Sequence, residues 1–205
     1  MQMRSALKVC RLAAVMLVPM ARSTPAFCGE IHDAAGRGDL PAVTSLLDKG
    51  ADVNEKTNNG QTALMLASSN GHKEVVQLLL AKGADVNAKT TAQIITAMQF
   101  GANFSGTAEI YSIGTRALMF ASTHGHVEVV QLLLAKGADA NAKDEEGYTS
   151  LIDASAYGHK EVVQLLLAKR ADANAKANNG TTALSIASRN GYNEIKELLI
   201  RAGAK

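Results

Sequence analysis

Apolar side chains recur in this chain at helical spacing, in short stretches punctuated by Gly, Asn and Asp. Val75, Val76, Leu78, Leu79 and Leu80 crowd a nine-residue window. Their stripe is wide, as expected of a helix covered on two sides rather than one. The spacing predicts a helix over about Lys73 to Ala81, ended by Gly83. Just before it, Ala63 to Ser69 is a run of small and apolar residues. That run predicts a second short helix, opened by Thr62 as a cap and closed by Asn70-Gly71, residues that tolerate the left-handed conformation of a helix end.

The same two-helix pattern returns down the chain. Val75 to Asp85, Val129 to Asp139 and Val162 to Asp172 are nearly one sequence. The Gly that opens each block falls at Gly60, Gly114, Gly147 and Gly180, giving steps of 54, 33 and 33 residues. The long first step means that 21 residues have been added between Lys89 and Gly114. A fixed period in this range marks a stacked-repeat architecture, in which one unit cannot bury its apolar face alone. The expectation is one elongated domain in which each block contacts chiefly its neighbours.

The block resembles the ankyrin repeat in Gly60-Gln61-Thr62-Ala63-Leu64, in the Asn70-Gly71-His72 turn, in Glu74 to Leu80 and in Gly83-Ala84-Asp85-Val86-Asn87. The resemblance covers about residues 27–205, as repeats 27–59, 60–89, 114–146, 147–179 and 180–205, with an inserted apolar segment at about 90–113. It implies an all-α solenoid of paired antiparallel helices with turn and finger loops. The first block follows the pattern from Ile31 but lacks the opening turn and is more polar, which suits a capping unit with one face in water. Three departures stand out. Arg116 replaces the capping Thr, a loss of about 1 kcal/mol. Arg170 replaces the helix-ending Gly, and a side chain in the left-handed region costs about 1–2 kcal/mol. Asp153 occupies the slot filled by Leu66, Phe120 and Ile186; it reads either as drift or as a contact in the groove.

Charge and cysteine follow from the first 26 residues. Arg4, Lys8 and Arg11 precede the apolar run Leu12 to Val18, and Thr24-Pro25-Ala26 follows. This is the order of a secretory signal peptide, and the run is shorter than the about 20 apolar residues of a spanning helix. Cleavage is expected near Ala26-Phe27, with the mature chain exported to the periplasm or secreted, and a bacterial source favoured over a eukaryotic one. Removing the leader's four basic residues leaves 17 Lys and Arg against 19 Asp and Glu, so a formal +2 becomes −2. No clustered basic face remains for nucleic acid or an anionic membrane, and no stable membrane anchor is expected in the mature chain. Cys28 is then the sole thiol, either incidental or paired between molecules.

Candidate chemistry is sparse. The repeated His72, His126 and His159 match the turn of the repeat and read as scaffold, bonding neighbouring turns. His124 adds a second imidazole beside His126, but a closed metal site needs around four ligands. No nucleophile elbow, phosphate loop or H-E-x-x-H motif occurs. The chain is therefore read as non-catalytic and without a cofactor.

The ankyrin resemblance implies a concave face of loop tips and first helices that binds another protein. The candidate partner-binding residues matching it are Asn58, Asn59, Gln61, Asn70, Ile113, His124, Glu145, Glu146, Tyr148, Tyr157 and Arg189. Tyr148 and Tyr157 lead, since aromatic residues concentrate at binding hot spots. The inserted segment adds Phe100, Phe104 and Tyr111. It is too apolar for an ordinary disordered linker. Ile94, Ile95 and Met98 would share a face of a short helix; alternatively Ser105-Gly106 would turn a hairpin joining Phe104 to Ile110. The reading is a monomeric protein-binding module. The alternative is a small-molecule or metal-binding module using the inserted lobe and nearby histidines.

Overall fold

A computed structural model describes residues 29–92, 94–95 and 110–205. The leader, Phe27, Cys28, Met98, Phe100, Phe104 and the Ser105-Gly106 turn all lie outside the described residues. Ten helices occur among the described residues: α1 (Glu30–Gly36), α2 (Leu40–Asp48), α3 (Ala63–Ser69), α4 (Lys73–Ala81), α5 (Ala117–Thr123), α6 (Val127–Ala135), α7 (Ser150–Ala156), α8 (Lys160–Ala168), α9 (Ala183–Arg189) and α10 (Asn193–Arg201). They pack as five successive pairs, first helix against second, and each pair stacks on the next. The fold is an all-α solenoid, as the periodicity predicts.

Local sequence sets each helix boundary. The side chains of Thr62, Thr149 and Thr182 accept from the backbone N–H three residues on and cap α3, α7 and α9. Arg116 makes no such bond at the start of α5; its Nη1 instead donates to the carbonyls of Gly114 at 3.1 Å and Lys143 at 2.9 Å. Arg170 holds φ 63°, where Gly50, Gly83 and Gly137 hold 93°, 89° and 89°. It is the one non-glycine residue at positive φ among the described residues.

The core runs between the two layers of helices. Val75, Val76 and Leu79 of α4 are buried, as are Val129, Val130 and Leu133 of α6 and Val162, Val163 and Leu166 of α8. The first helices meet through small side chains: Ala63, Ala67, Ala117, Ala121, Ala154, Ala183 and Ala187 are all buried. Small residues let first helices approach more closely than second helices do, which curves the stack toward the first-helix side.

Two polar ladders fix the spacing of successive units. The carboxamide of Asn54 donates to Gly83 O and accepts from Asp85 N–H. Asn87, Asn141 and Asn174 repeat the same two bonds to the next unit. On the turns between helices, Nε2 of His72, His126 and His159 donates to the carbonyls of Gly36, Ser69 and Thr123 at 3.0, 2.9 and 2.8 Å. A Cβ at Gly71 would stand 2.6 Å from Nδ1 of His126, and one at Gly125 would stand 2.5 Å from Nδ1 of His159. Glycine at these turns therefore serves both the positive φ and the approach of the imidazole. The scaffold role expected of these histidines is what the structure shows.

The insertion leaves the stacking untouched. The Asn clamp spans 29 residues elsewhere but 50 from Asn87 to Gly137. The His bond spans 36 residues elsewhere but 57 from His126 to Ser69. Both excesses equal the inserted length, so the stack closes across the insertion without interruption.

The insertion falls within a finger. In the regular fingers an N–H bonds the carbonyl four residues on: Thr57 to Gln61, Asp144 to Tyr148 and Ala177 to Thr181. The equivalent bond here joins Thr90 N–H to Thr115 O. Lys89 pairs with Arg116 in antiparallel fashion. The same register continues outward into β1 (Ile94–Ile95) and β2 (Ile110–Tyr111), with Ile94 opposite Tyr111 and Ile95 opposite Ile110. A helix containing Ile94 and Ile95 is thus corrected to a strand. Four residues carry too little periodicity to separate the two, and the ladder begun at Lys89 decides for extension.

Candidate functional site

The helix packing and the fingers together frame a groove on the curved inner side. It has a volume of about 670 Å³ and is lined by Ser112, Thr115, Asp144, Glu146 and Tyr148 from the fingers, Thr123 from α5, Asp153, Ala156 and Tyr157 from α7 and its end, and Ile186 and Asn190 from α9 and its end. That volume lies within the range typical of ligand pockets.

The rim is held by bonds between adjacent fingers. Ser112 Oγ donates to the Asp144 carboxylate. The other Asp144 oxygen accepts from Tyr148 N–H at 2.8 Å, and Glu145 N–H donates to Ile113 O at 2.9 Å. Asn179 Nδ2 donates to the Tyr148 hydroxyl at 2.9 Å, which fixes that ring against the next finger. Tyr157 is half exposed and stacks on His159 with ring centroids 6.4 Å apart. His159 is itself anchored to Thr123, so the aromatic wall rests on the turn ladder.

Asp153 forms part of the floor. The residue is largely buried but keeps some accessible surface, and its carboxyl group receives no hydrogen bond within the described residues. Burial first, and the negative charge of Asp144 second, push its pKa up to about 8. At neutral pH the side chain is therefore mostly a neutral acid. Of the two readings of this position, a groove residue is the one the geometry favours. Perturbed acids of this kind concentrate at functional sites.

The candidate residues separate into three groups. Glu146, Tyr148 and Tyr157 come together in the groove. Asn58 and Arg189 are exposed without lining it. Asn59, Asn70, Ile113, His124 and Glu145 carry bonds of the scaffold: the carbonyl of Asn59 accepts from Thr91 and Ala92 N–H, Asn70 Nδ2 donates to Gly36 O, and Nδ1 of His124 donates to Phe120 O. Tyr111 lies in β2, and Phe100 and Phe104 lie outside the described residues.

Gln61 is corrected. It is only 5% exposed, because the start of the long finger lies over its turn and places Thr91 N 2.5 Å from where a Gly60 Cβ would be. Asp144 was missed. Its signal was available: three residues before the opening Gly, the other blocks carry Thr57, Tyr111 and Ala177, and only this one is charged.

The histidines do not converge on a metal. His124 and His126 stack with centroids 5.9 Å apart, and burial lowers the pKa of His126. No group of three or more His, Cys, Asp or Glu side chains is arranged to hold a metal among the described residues. None of the described helices is long and apolar enough to cross a membrane.

Comparison with known proteins agrees with this architecture. Curated relatives include two probable E3 ubiquitin-protein ligases from Oryza sativa subsp. japonica, XBOS33 at 40% and XBOS32 at 36% identity. E3 ubiquitin-protein ligase XBAT33 from Arabidopsis thaliana is 36% identical. Each match spans 105 residues, or 51% of this chain, but only 16–17% of the relative. The likeness is thus confined to a small part of those proteins. The family described as ankyrin repeats (3 copies) matches residues 31–144, 93–177 and 118–205. The stacked helix pairs, the capped first helices and these matches together place the chain in the ankyrin-repeat family.

Proposed function

We propose that this chain is a non-catalytic protein-binding module that engages a partner protein across the curved inner face between α5 and α9. Ankyrin repeats are generally protein-interaction modules. The observation that carries the reading here is the groove that Tyr148 and Tyr157 line together with Asp153. Aromatic side chains fixed at one end by packing or hydrogen bonds lose little freedom on binding, which suits them to hot spots. The ligase activity named for the plant relatives is not carried over, because the match lies within a small part of each. The inserted segment supplies a second contact surface.

The module works as a monomer, since its helix pairs find their partners within one chain. The basic, apolar and small-residue order of residues 1–26 supports export, with cleavage near Ala26-Phe27 and a periplasmic or secreted destination. Amino-terminal sequencing of the protein recovered from its host tests this; a mature start other than Phe27 overturns it.

The decisive experiment is affinity capture from the host with the wild-type chain and a Tyr148→Ala/Tyr157→Ala variant. A partner retained by the wild type and lost by the variant supports the module. Equal capture by both moves the interface elsewhere. A thermal-shift screen with small molecules, positive while protein capture fails, favours the small-molecule alternative.

A further inference from the structure

The groove is acidic as well as aromatic, and its charge is unbalanced. Asp144, Glu146 and Asp153 line it, and no Lys or Arg does among the described residues. Asp144 is already engaged by Ser112 and by the Tyr148 amide. Glu146 is exposed at the rim. The Asp153 carboxyl, by contrast, is largely buried where it lines the groove and has no hydrogen-bonding partner among the described residues. An isolated buried carboxylate is unfavourable unless an opposite charge or a proton accompanies it.

The neighbouring blocks show that this position need not be polar. Leu66, Phe120 and Ile186 stand in the same register. An acid here gives up apolar packing without gaining a bond within the described chain. What would complete it is a cation from outside. The groove volume of about 670 Å³ is ample for one long side chain. Tyr148 and Tyr157 offer ring faces of the kind that attract cations, and Glu146 at the mouth adds a longer-range pull.

We propose that the groove receives a basic side chain, lysine or arginine, presented by the partner protein, with the cationic head at Asp153 and the aliphatic stem between Tyr148 and Tyr157. This rests on the module reading above and names the chemistry of its partner. Binding releases the proton that Asp153 otherwise holds, because a cation at contact distance favours the charged carboxylate. Among the described residues, the titratable and charged groups that line the groove with Asp153 are Asp144, Glu146 and Tyr148 from the fingers and Tyr157 from the end of α7. The lining from α5 and α9 (Thr123, Ile186 and Asn190) does not titrate.

The test uses the full chain labelled with nitrogen-15. Nα-acetyl-lysine methylamide and Nα-acetyl-arginine methylamide are titrated at pH 8.5, with Nα-acetyl-norleucine methylamide as the uncharged control. The expected result is saturable shifts of the Tyr148, Ala154 and Tyr157 amides with the cationic probes and none with norleucine. Affinity should fall more than tenfold between pH 8.5 and pH 6, as Asp153 takes up its proton. It should also fall more than tenfold in Asp153→Asn, a near-isosteric variant expected to stay folded.

Saturable binding of norleucine at equal strength, cation binding that survives Asp153→Asn, or no saturable shift at 100 mM probe each overturns the proposal. The same variant separates the two readings in the capture experiment. Partner capture that needs Tyr148 and Tyr157 but ignores Asp153→Asn removes the cation site and leaves the module standing.

Discussion

Asp153→Asn is the most informative single substitution, because it removes a titration without changing the shape of the groove floor. In the folded chain this carboxyl has a pKa of about 8. In the unfolded chain an aspartate titrates near 3.9. Between those values the folded form holds a proton that the unfolded form has released. Stability contributed at this position is therefore greatest below about pH 4 and is lost progressively as pH rises toward 8.

Each pH unit in that window removes about 1.4 kcal/mol, which reaches about 4 kcal/mol at pH 7 for a fully enclosed group. Asp153 retains some accessible surface, and water reaching it lowers the expected penalty to about 2–4 kcal/mol. The asparagine variant escapes this penalty. The chain has no Trp, so unfolding in urea is followed by helix circular dichroism, for wild type and variant in matched buffers at pH 5, 6, 7, 8 and 9. Other titrating groups cancel in the difference. The variant's advantage over wild type should grow by about 1 kcal/mol per pH unit from pH 5 up to pH 8, with the gap level above that. A gap that is constant with pH, or that widens on acidification, refutes the assignment.

Three further substitutions probe the scaffold. Arg170→Gly relieves a side chain held at φ 63° and should stabilise the fold by about 1 kcal/mol in the same urea assay. Ser122→Ala removes a fully buried hydroxyl with no hydrogen-bond partner among the described residues, and should stabilise by about 1 kcal/mol; destabilisation would show that the hydroxyl is bonded in solution. Gly125→Ala places a methyl group 2.5 Å from Nδ1 of His159 at φ 73°. It should destabilise by about 2–3 kcal/mol through backbone strain and loss of the His159–Thr123 bond. Because His159 supports Tyr157, the same variant should weaken partner capture, read from the wild-type and variant bands side by side.

Much of the fold is local chemistry and was legible as such. Thr62 before Ala63, Asn70-Gly71 after Ser69 and Gly83 after Lys82 mark helix ends through bonds made within a few residues, so α3 and α4 fall where the pattern predicts. The loss of the cap at Arg116 and the left-handed backbone at Arg170 were readable for the same reason. The candidate site was only partly legible. Tyr148 and Tyr157 stand out as aromatic side chains at polar positions. The burial of Gln61 and the approach of Asp144 to Asp153 depend on how fingers from different units lie on one another. The extended state of Ile94 and Ile95 depends on a ladder that starts at Lys89 and closes across the insertion.

The amino-acid order alone determined the period, the helix pairs and the place where the period breaks. Those features follow from apolar spacing and from caps and turns that act within one unit. Only the tertiary structure decided how the ends of the break are joined and what surrounds the unusual acid. The described ends of the insertion extend a finger because they stay paired in one register while the Asn and His ladders hold the stack closed beneath them. Asp153 is an acid without a partner among the described residues, in an aromatic groove, because stacking brings three first helices and the neighbouring fingers around it. Desolvation and charge repulsion arise from that enclosure, not from the residues beside it in the chain.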